Sequence, residues 1–526
     1  MKMLSRYLLI ACSVGAAFGQ TDAVTPPTLV MTDVAAARFL DQATWGPTPA
    51  SIAQLQQLGI QNWLAAQFAL NTSDLPDQAI LQSNGNSNNN LAPVQAAFFQ
   101  NTVTGSDQLR QRVAFALSQM WVVSAVQVTP AYAYPPYWRL FRDNAFGNYR
   151  DIIQAISLSP AMGAYLNMAN NNKGNTSKGT AANENYAREM MQLFTIGLTQ
   201  LNANGTPVVD QNNNPIPTYT QAIVTSQARA LTGWTFPTAP GATAKNNNPA
   251  YYFGQMFAVE ADHDTTSKSI IGGITIPAGQ TAEQDLDSVI DALMQQPTMA
   301  PFVSKQLIQH LVTSNPSAAY IQRVSSVFTN DGTGVTGNMQ AVITAILTDP
   351  EARAGDNPSA DVSPNFGHLR EPVLFVSNLL RGLNATLTST SAVYNDATLM
   401  GQQLFYPASV FSYFSPQNVI QGGLLGPEFQ IYTTQTGAYR ADVINTALYG
   451  TLDKGTTVNL APFVAQATSV SNLVDYISYV FLHHNMSASL QAQAQSAANA
   501  AGSKASAQVQ AALYVVLTSN EYQVIH

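Results

Sequence analysis

Glu184, Arg188 and Glu189 place three charges within six residues of the stretch AANENYAREMMQLFTIGL, residues 181–198. The chain has 526 residues, of which only 10% are charged. Carboxylates beside a guanidinium can do chemistry: Glu189 is a candidate base and Arg188 a candidate clamp for an anionic substrate group. On a helix, Glu184, Asn185, Arg188, Glu189 and Gln192 share one arc, and Tyr186, Met190, Leu193 and Phe194 share the other. Glu184 and Arg188 stand at the i,i+4 spacing of an ion pair. On a solvated face such a pair contributes a few tenths of a kcal/mol. The composition argues for more, because Asn, Gln, Ser and Thr wet the ordinary surface of this chain. We expect Arg188 to lie between acids and largely out of water.

The stretch EADHDTTSKSIIGG, residues 260–273, is the second candidate. Glu260, Asp262, His263, Asp264 and Lys268 make a carboxylate-rich loop around one imidazole. His263 is a candidate base oriented by its acidic neighbours. Asp262 and Asp264, joined by Glu184, are candidate ligands of a divalent cation. A catalytic or metal site requires this loop to fold over or beside the Arg188 helix. The bland alternative is an ordinary surface histidine. The other histidines are His310, His368, His483, His484 and His526; of these, His483-His484 reads as the cationic end of a helix.

Elements must position these groups, and the dominant period is helical. TDVAAARFLDQATWG starts at a Thr32/Asp33 cap and stops at Gly46. TPASIAQLQQLG has Pro49 in its first turn and stops at Gly59. Further helices are expected at 107–124, 147–158, 183–196, 219–232, 283–313, 317–329, 337–349, 367–382, 439–450, 470–483 and 504–519. Strand-like alternation is confined to pieces such as Ser269–Ile276. Loops at 83–90, 170–180, 202–218 and 237–250 are long and Asn-rich. The expected fold is mostly α: one large multi-helix globular domain, residues 20–526, with at most a small β element. Arg110, Arg112, Arg142, Arg150, Arg229 and the Arg370-Glu371 pair read as internal struts, since a guanidinium fork suits carboxylate and carbonyl partners.

Several patterns are set aside. Gly332–Gly337 spells GxGxxG, but a helical pattern precedes it where a dinucleotide fold needs a strand. YPASVFSYFSP, residues 406–416, reads as a hydrophobic plug before it reads as a sugar-stacking platform. HExxH, GxSxG, CxxC and P-loop patterns are absent from the sequence, which removes the commonest metalloprotease, serine-hydrolase, redox and NTPase readings.

The N-terminus MKMLSRYLLIACSVGAAFGQ has Lys2 and Arg6, an apolar run and small residues before Gln20. It reads as a secretory signal peptide, residues 1–19, cleaved after Gly19. A lipoprotein anchored through Cys12 is the weaker alternative, because too few apolar residues precede that cysteine. Cleavage after Gly19 removes the one cysteine, and it leaves 20 basic against 30 acidic residues. We expect a secreted or periplasmic protein without a transmembrane segment. Its acidic balance argues against nucleic acid.

Eleven stretches carry a resemblance. RFLDQATWGPT, LRQRVAFALSQMWVVS, LFRDNAFGNYRDII, LSPAMGAYLN, NENYAREMMQLFTIGL, ARALTGW, HDTTSK, LREPVL, MGQQLFYPASVFSYFSP, GPEFQI and ALYVVLTSNEYQV occur in that order. Together they resemble the domain-of-unknown-function family 1800 (DUF1800), secreted bacterial proteins, from about Ala35 to Val524. The family often has Lys before LREP, where this chain has His368. The resemblance implies no chemistry. As a partner it implies an exported sulfatase-like protein of the 1501 family. Two functions remain. One is a non-catalytic exported binding or assembly protein with internal charged clusters, which the sequence favours. The other is an exported hydrolase, assisted by a divalent cation, with a polar cleft around Glu184, Arg188, Glu189 and His263.

Overall fold

A computed structural model describes residues 31–357, 362–363 and 365–526. The signal-peptide reading and Cys12 lie outside the described residues. Those residues form 22 α-helices and four two-stranded antiparallel sheets, so the protein is mostly α.

Local chemistry explains the helix starts. Thr32 accepts a hydrogen bond from the Ala35 amide and opens helix Asp33–Ala43. Reciprocal capping boxes open Pro49–Ala69 through Thr48 and Ser51, and Ala282–Met294 through Thr281 and Gln284. Gly59 does not end its helix as expected. It takes φ 72° and kinks a helix that runs on to Ala69. The expected 283–313 helix is two, Ala282–Met294 and Met299–Leu311, broken around Pro297, whose ring cannot continue the first. The expected 367–382 helix begins only at Pro372. Glu371, before that proline, is held extended, and His368–Leu369 ahead of it pairs with Val524–Ile525. The Ser269–Ile276 stretch is a hairpin, Lys268–Ser269 against Thr275–Ile276. The GxGxxG stretch joins helices Ala318–Thr329 and Met339–Thr348, as expected.

Helices Ala92–Thr104, Tyr134–Asn144 and Ala488–Ala500 were not expected from the period. In Ala92–Thr104 and Ala488–Ala500 the apolar positions are too evenly spread or too sparse to make a stripe, whereas Tyr134–Asn144 buries Tyr134, Tyr137, Trp138 and Phe141 on one stripe behind the prolines of its first turn.

Two helices sit deepest. Every residue of Pro372–Gly382 is buried, and so is every residue of Gln108–Met120 except Ser118. Surrounded on all sides, they must place their polar residues inside the core. Arg112 and Gln119 lie on one, Asn378 and Arg381 on the other, with Glu371 as the residue before its first turn.

Two glycines allow close approach. Gly46, at φ 123°, lies against Asn378, whose amide a Cβ would meet at 2.2 Å. Its carbonyl accepts from Arg381 Nε at 2.8 Å. Gly233, at φ 87°, lies against His263, where a Cβ would meet backbone at 3.0 Å.

Candidate functional site

The opening stretch is helical from Asn185 to Glu189, then widens into a π-helical turn over Met190–Thr195. Thr195 Oγ1 donates to the Met190 carbonyl at 2.6 Å, and Tyr149 donates to the Phe194 carbonyl at 2.8 Å. The wide turn buries Met190, Met191, Phe194 and Thr195 together, and Phe194 stacks on Trp121 with centroids 4.3 Å apart.

Arg188 does pair with Glu184, at 2.7 Å, but at the surface: their side chains are 36% and 28% exposed. The expectation of a desolvated Arg188 is therefore corrected. Glu184 also accepts from Thr225 at 2.6 Å and Gln221 at 2.8 Å. The Thr225 hydrogen bond, with those from Gln221 and Arg188's charge, lowers the pKa of Glu184. Glu189 points the other way. Its Oε2 is buried without a hydrogen-bond partner, and burial raises its pKa against the pull of Arg188.

The His263 loop is built differently. His263 is completely buried; its Nδ1 donates to the Thr232 carbonyl at 2.9 Å and its Nε2 lies 3.2 Å from Asp285 Oδ2. Lys268 Nζ lies 2.7 Å from the same oxygen, also with no exposure. Asp285 is the partner that the sequence reading did not include, because it stands on the next helix. This His–Asp–Lys trio joins the loop to helix Ala282–Met294. Asp264 binds Arg229 at 2.7 Å. Burial opposes its ionisation, but Arg229 and Thr266 outweigh burial and hold it well below the ordinary carboxylate value.

One helix, Gln221–Ala230, touches both stretches. Its Gln221 and Thr225 face Glu184, and its Arg229 faces Asp264. Arg229 stands one helical turn beyond Thr225, so the two acids meet successive turns of the helix. Glu184 is thus not brought to Asp262 and Asp264. Among the described residues no three His, Cys, Asp or Glu side chains are grouped to hold a metal ion. His263, with no exposure, faces no open cleft, while Arg188 lies at the surface.

The charges that do converge come from other motifs. Arg112 is fully buried and donates through Nη2 to the His310 carbonyl, while its Nε and Nη1 have no partner. Burial lowers its pKa to about 10, against the pull of Glu371, Asp41 and Glu428. Glu371 accepts from Gln119 at 3.1 Å and Gln402 at 2.5 Å, and burial raises its pKa. Glu428 Oε1 meets His368 Nδ1 at 3.2 Å. His310 is pushed down to about 3 by burial, with Arg112 and His368 adding, and so stays neutral.

A cleft of about 40 Å³ opens onto this cluster. Gln119, Gln306, Gln309, His310 and Glu428 supply its polar wall, and Phe411 and Phe414 its apolar wall. Three buried atoms of these residues lack any hydrogen-bond partner: Gln119 Oε1, Gln306 Nε2 and Glu428 Oε2. Buried polar groups are nearly always satisfied, so three orphans around one cleft mark it. Phe411 is 45% exposed. The segment set aside as a hydrophobic plug thus plugs with Phe414 and presents Phe411 outward. In the sequence these residues stand in the quoted motifs, Gln119 in LRQRVAFALSQMWVVS, Glu371 in LREPVL and Glu428 in GPEFQI, where nothing local sets them apart from polar neighbours such as Gln111, Arg370 and Gln430.

Residues 38–524 match the profile of the family described as protein of unknown function (DUF1800), and the chain belongs to that family. No curated protein and no solved structure matches it.

Proposed function

We propose that this DUF1800 member is a non-catalytic binding protein whose ligand is polyhydroxylated and carbohydrate-like. The observation that carries this reading is the trio of unpartnered atoms around the cleft. Glu428 Oε2 and Gln119 Oε1 accept, and Gln306 Nε2 donates, so one hydroxyl group, donating to one of the two oxygens while accepting from the amide, satisfies two of the three. About 40 Å³ admits a hydroxymethyl-sized group, so the ligand's tip enters while its apolar face lies on Phe411. Mutually engaged charges favour binding over hydrolysis: Glu371 is closed off by two amides, and His263 has no exposure. Export, with a mature chain starting near Gln20, belongs to the same proposal and rests on the sequence of the first 19 residues. No helix among the described residues is long and apolar enough to cross a membrane. A sulfatase-like partner of the 1501 family is part of this reading through the family resemblance alone.

Calorimetry against a panel of neutral oligosaccharides tests it. At least one member should bind, and Phe411→Ala should weaken that binding about tenfold, the loss of one stacking contact and its desolvation. Phe411 is exposed, so the variant keeps its fold. Absence of binding across the panel, or equal affinity in Phe411→Ala, refutes the reading.

A further inference from the structure

A second cavity, of about 320 Å³, lies where the N-terminal helix Asp33–Ala43 meets the end of helix Val470–Leu482 and the C-terminal turn. Arg38, Asp41, Arg370, His483, Glu521 and His526 line it. Its two acids are already engaged. Asp41 accepts from Arg370 Nη2 and from Asn378 at 3.2 Å, with His483 Nε2 at 3.4 Å. Glu521 accepts from the Ser487 amide at 3.0 Å and from its hydroxyl, fixing the start of helix Ala488–Ala500.

The two guanidiniums keep donors to spare. Arg38 Nη2 and Arg370 Nε are buried and have no hydrogen-bond partner, and His483 Nδ1 beside them is likewise buried and unpartnered. Arg38 reaches Asp356 only at 3.4 Å, and shares it with Arg353 at 3.5 Å. Burial lowers the pKa of His526, and Arg38, Arg370 and His483 lower it further, as a positive potential requires. His483 and His484 take φ of 57° and 59°, left-handed backbone that costs non-glycine residues about 1–3 kcal/mol each. His483 closes helix Val470–Leu482 in that conformation and its imidazole meets Asp41.

We propose that this cavity binds the oxyanion group of a small organic acid or phosphate ester, held by Arg38, Arg370 and His483. Guanidinium forks match carboxylate and phosphate oxygens, and spare donors around one cavity are the complement of such a group. The volume is at the small end of the range for small-molecule sites. The site is separate from the Gln119–Glu428 cleft and stands without it.

The test uses the purified full chain with inorganic phosphate and with succinate, at ionic strength held constant by choline chloride. Thermal melting and calorimetry should show binding of at least one probe, and the one bound tells a phosphate from a carboxylate site. Arg38→Met and His483→Asn should each weaken that binding about tenfold, while Arg188→Met, at the surface pair, binds like the parent. Asn accepts left-handed backbone, so His483→Asn carries the test if Arg38→Met does not fold. Failure of both probes to bind the parent, or affinity unchanged in the folded variants, overturns the proposal.

Discussion

The dipeptide Arg-Glu occurs at 188–189 and again at 370–371, and its two copies have opposite environments. Arg188 is 36% exposed and pairs with Glu184 on its own helix. Arg370 is 2% exposed, pairs with Asp41, donates to the Tyr522 carbonyl and lies 4.9 Å from the Tyr522 ring centroid. Charge scarcity in the composition correctly implied buried, partnered ions, but it could not say which. Burial is decided by what packs on the residue, and its partners lie hundreds of positions away. Arg370→Met should cost about 3–5 kcal/mol in urea melts, because buried Asp41 loses the guanidinium that balances its charge. Arg188→Met should cost under about 1 kcal/mol. Equal costs would contradict the assignment.

Asp396 sets a second expectation for single residues. Burial, then the charge of Asp453, pushes it up to about 7 from an ordinary 3.8. The folded chain therefore binds this proton more tightly than the unfolded chain. Its stabilising contribution is complete below about pH 3.8 and is lost as pH rises through about 7. Asp396→Asn should remove that loss, so the urea midpoint of the variant should fall less than the parent's between pH 4 and 7. His310 acts with the opposite sign. Its pKa is depressed from 6.5 to about 3, so its contribution is complete above 6.5 and fades as pH falls toward 3. In Asp396→Asn, where position 396 carries no charge in either state, the acid-side loss from His310 should stand out. A variant whose pH profile superimposes on the parent's would show that Asp396 is not the titrating group.

At the scale of elements, helix type was legible and helix depth was not. Helix Pro372–Gly382 has a helical period and a proline at its first turn, and both can be read locally. That its eleven residues are buried on every face follows from the elements around it, which include helix Ala92–Thr104. Leu379→Ala should cost about 2–5 kcal/mol, as expected of a large-to-small change in a packed core. A smaller loss in thermal or urea unfolding would show that the helix relaxes into the space. The π-helical turn at Met190–Thr195 escaped the period for a related reason. Its extra residue per turn is stabilised by Tyr149 and Trp121, which approach from elsewhere in the chain.

At the scale of the whole molecule, the period of apolar residues determined a mostly helical protein, and the ordered motifs determined its family. Both signals are local: a helix repeats every 3.6 residues, and a motif is contiguous. Caps such as Thr48 and Thr281 act within one turn, so their helices begin where the sequence says. Sites are not local. The Gln119–Glu428 cleft joins side chains from positions 119, 306 and 428, and the second cavity joins Arg38 to His483. Tertiary structure alone decided that His263 finds Asp285 and Lys268 instead of Arg188. Helix Gln221–Ala230 engages both stretches, Glu184 through Gln221 and Thr225 and Asp264 through Arg229. Chain neighbours are fixed by covalent geometry, whereas these contacts are chosen by which buried polar groups can satisfy one another once the helices have packed.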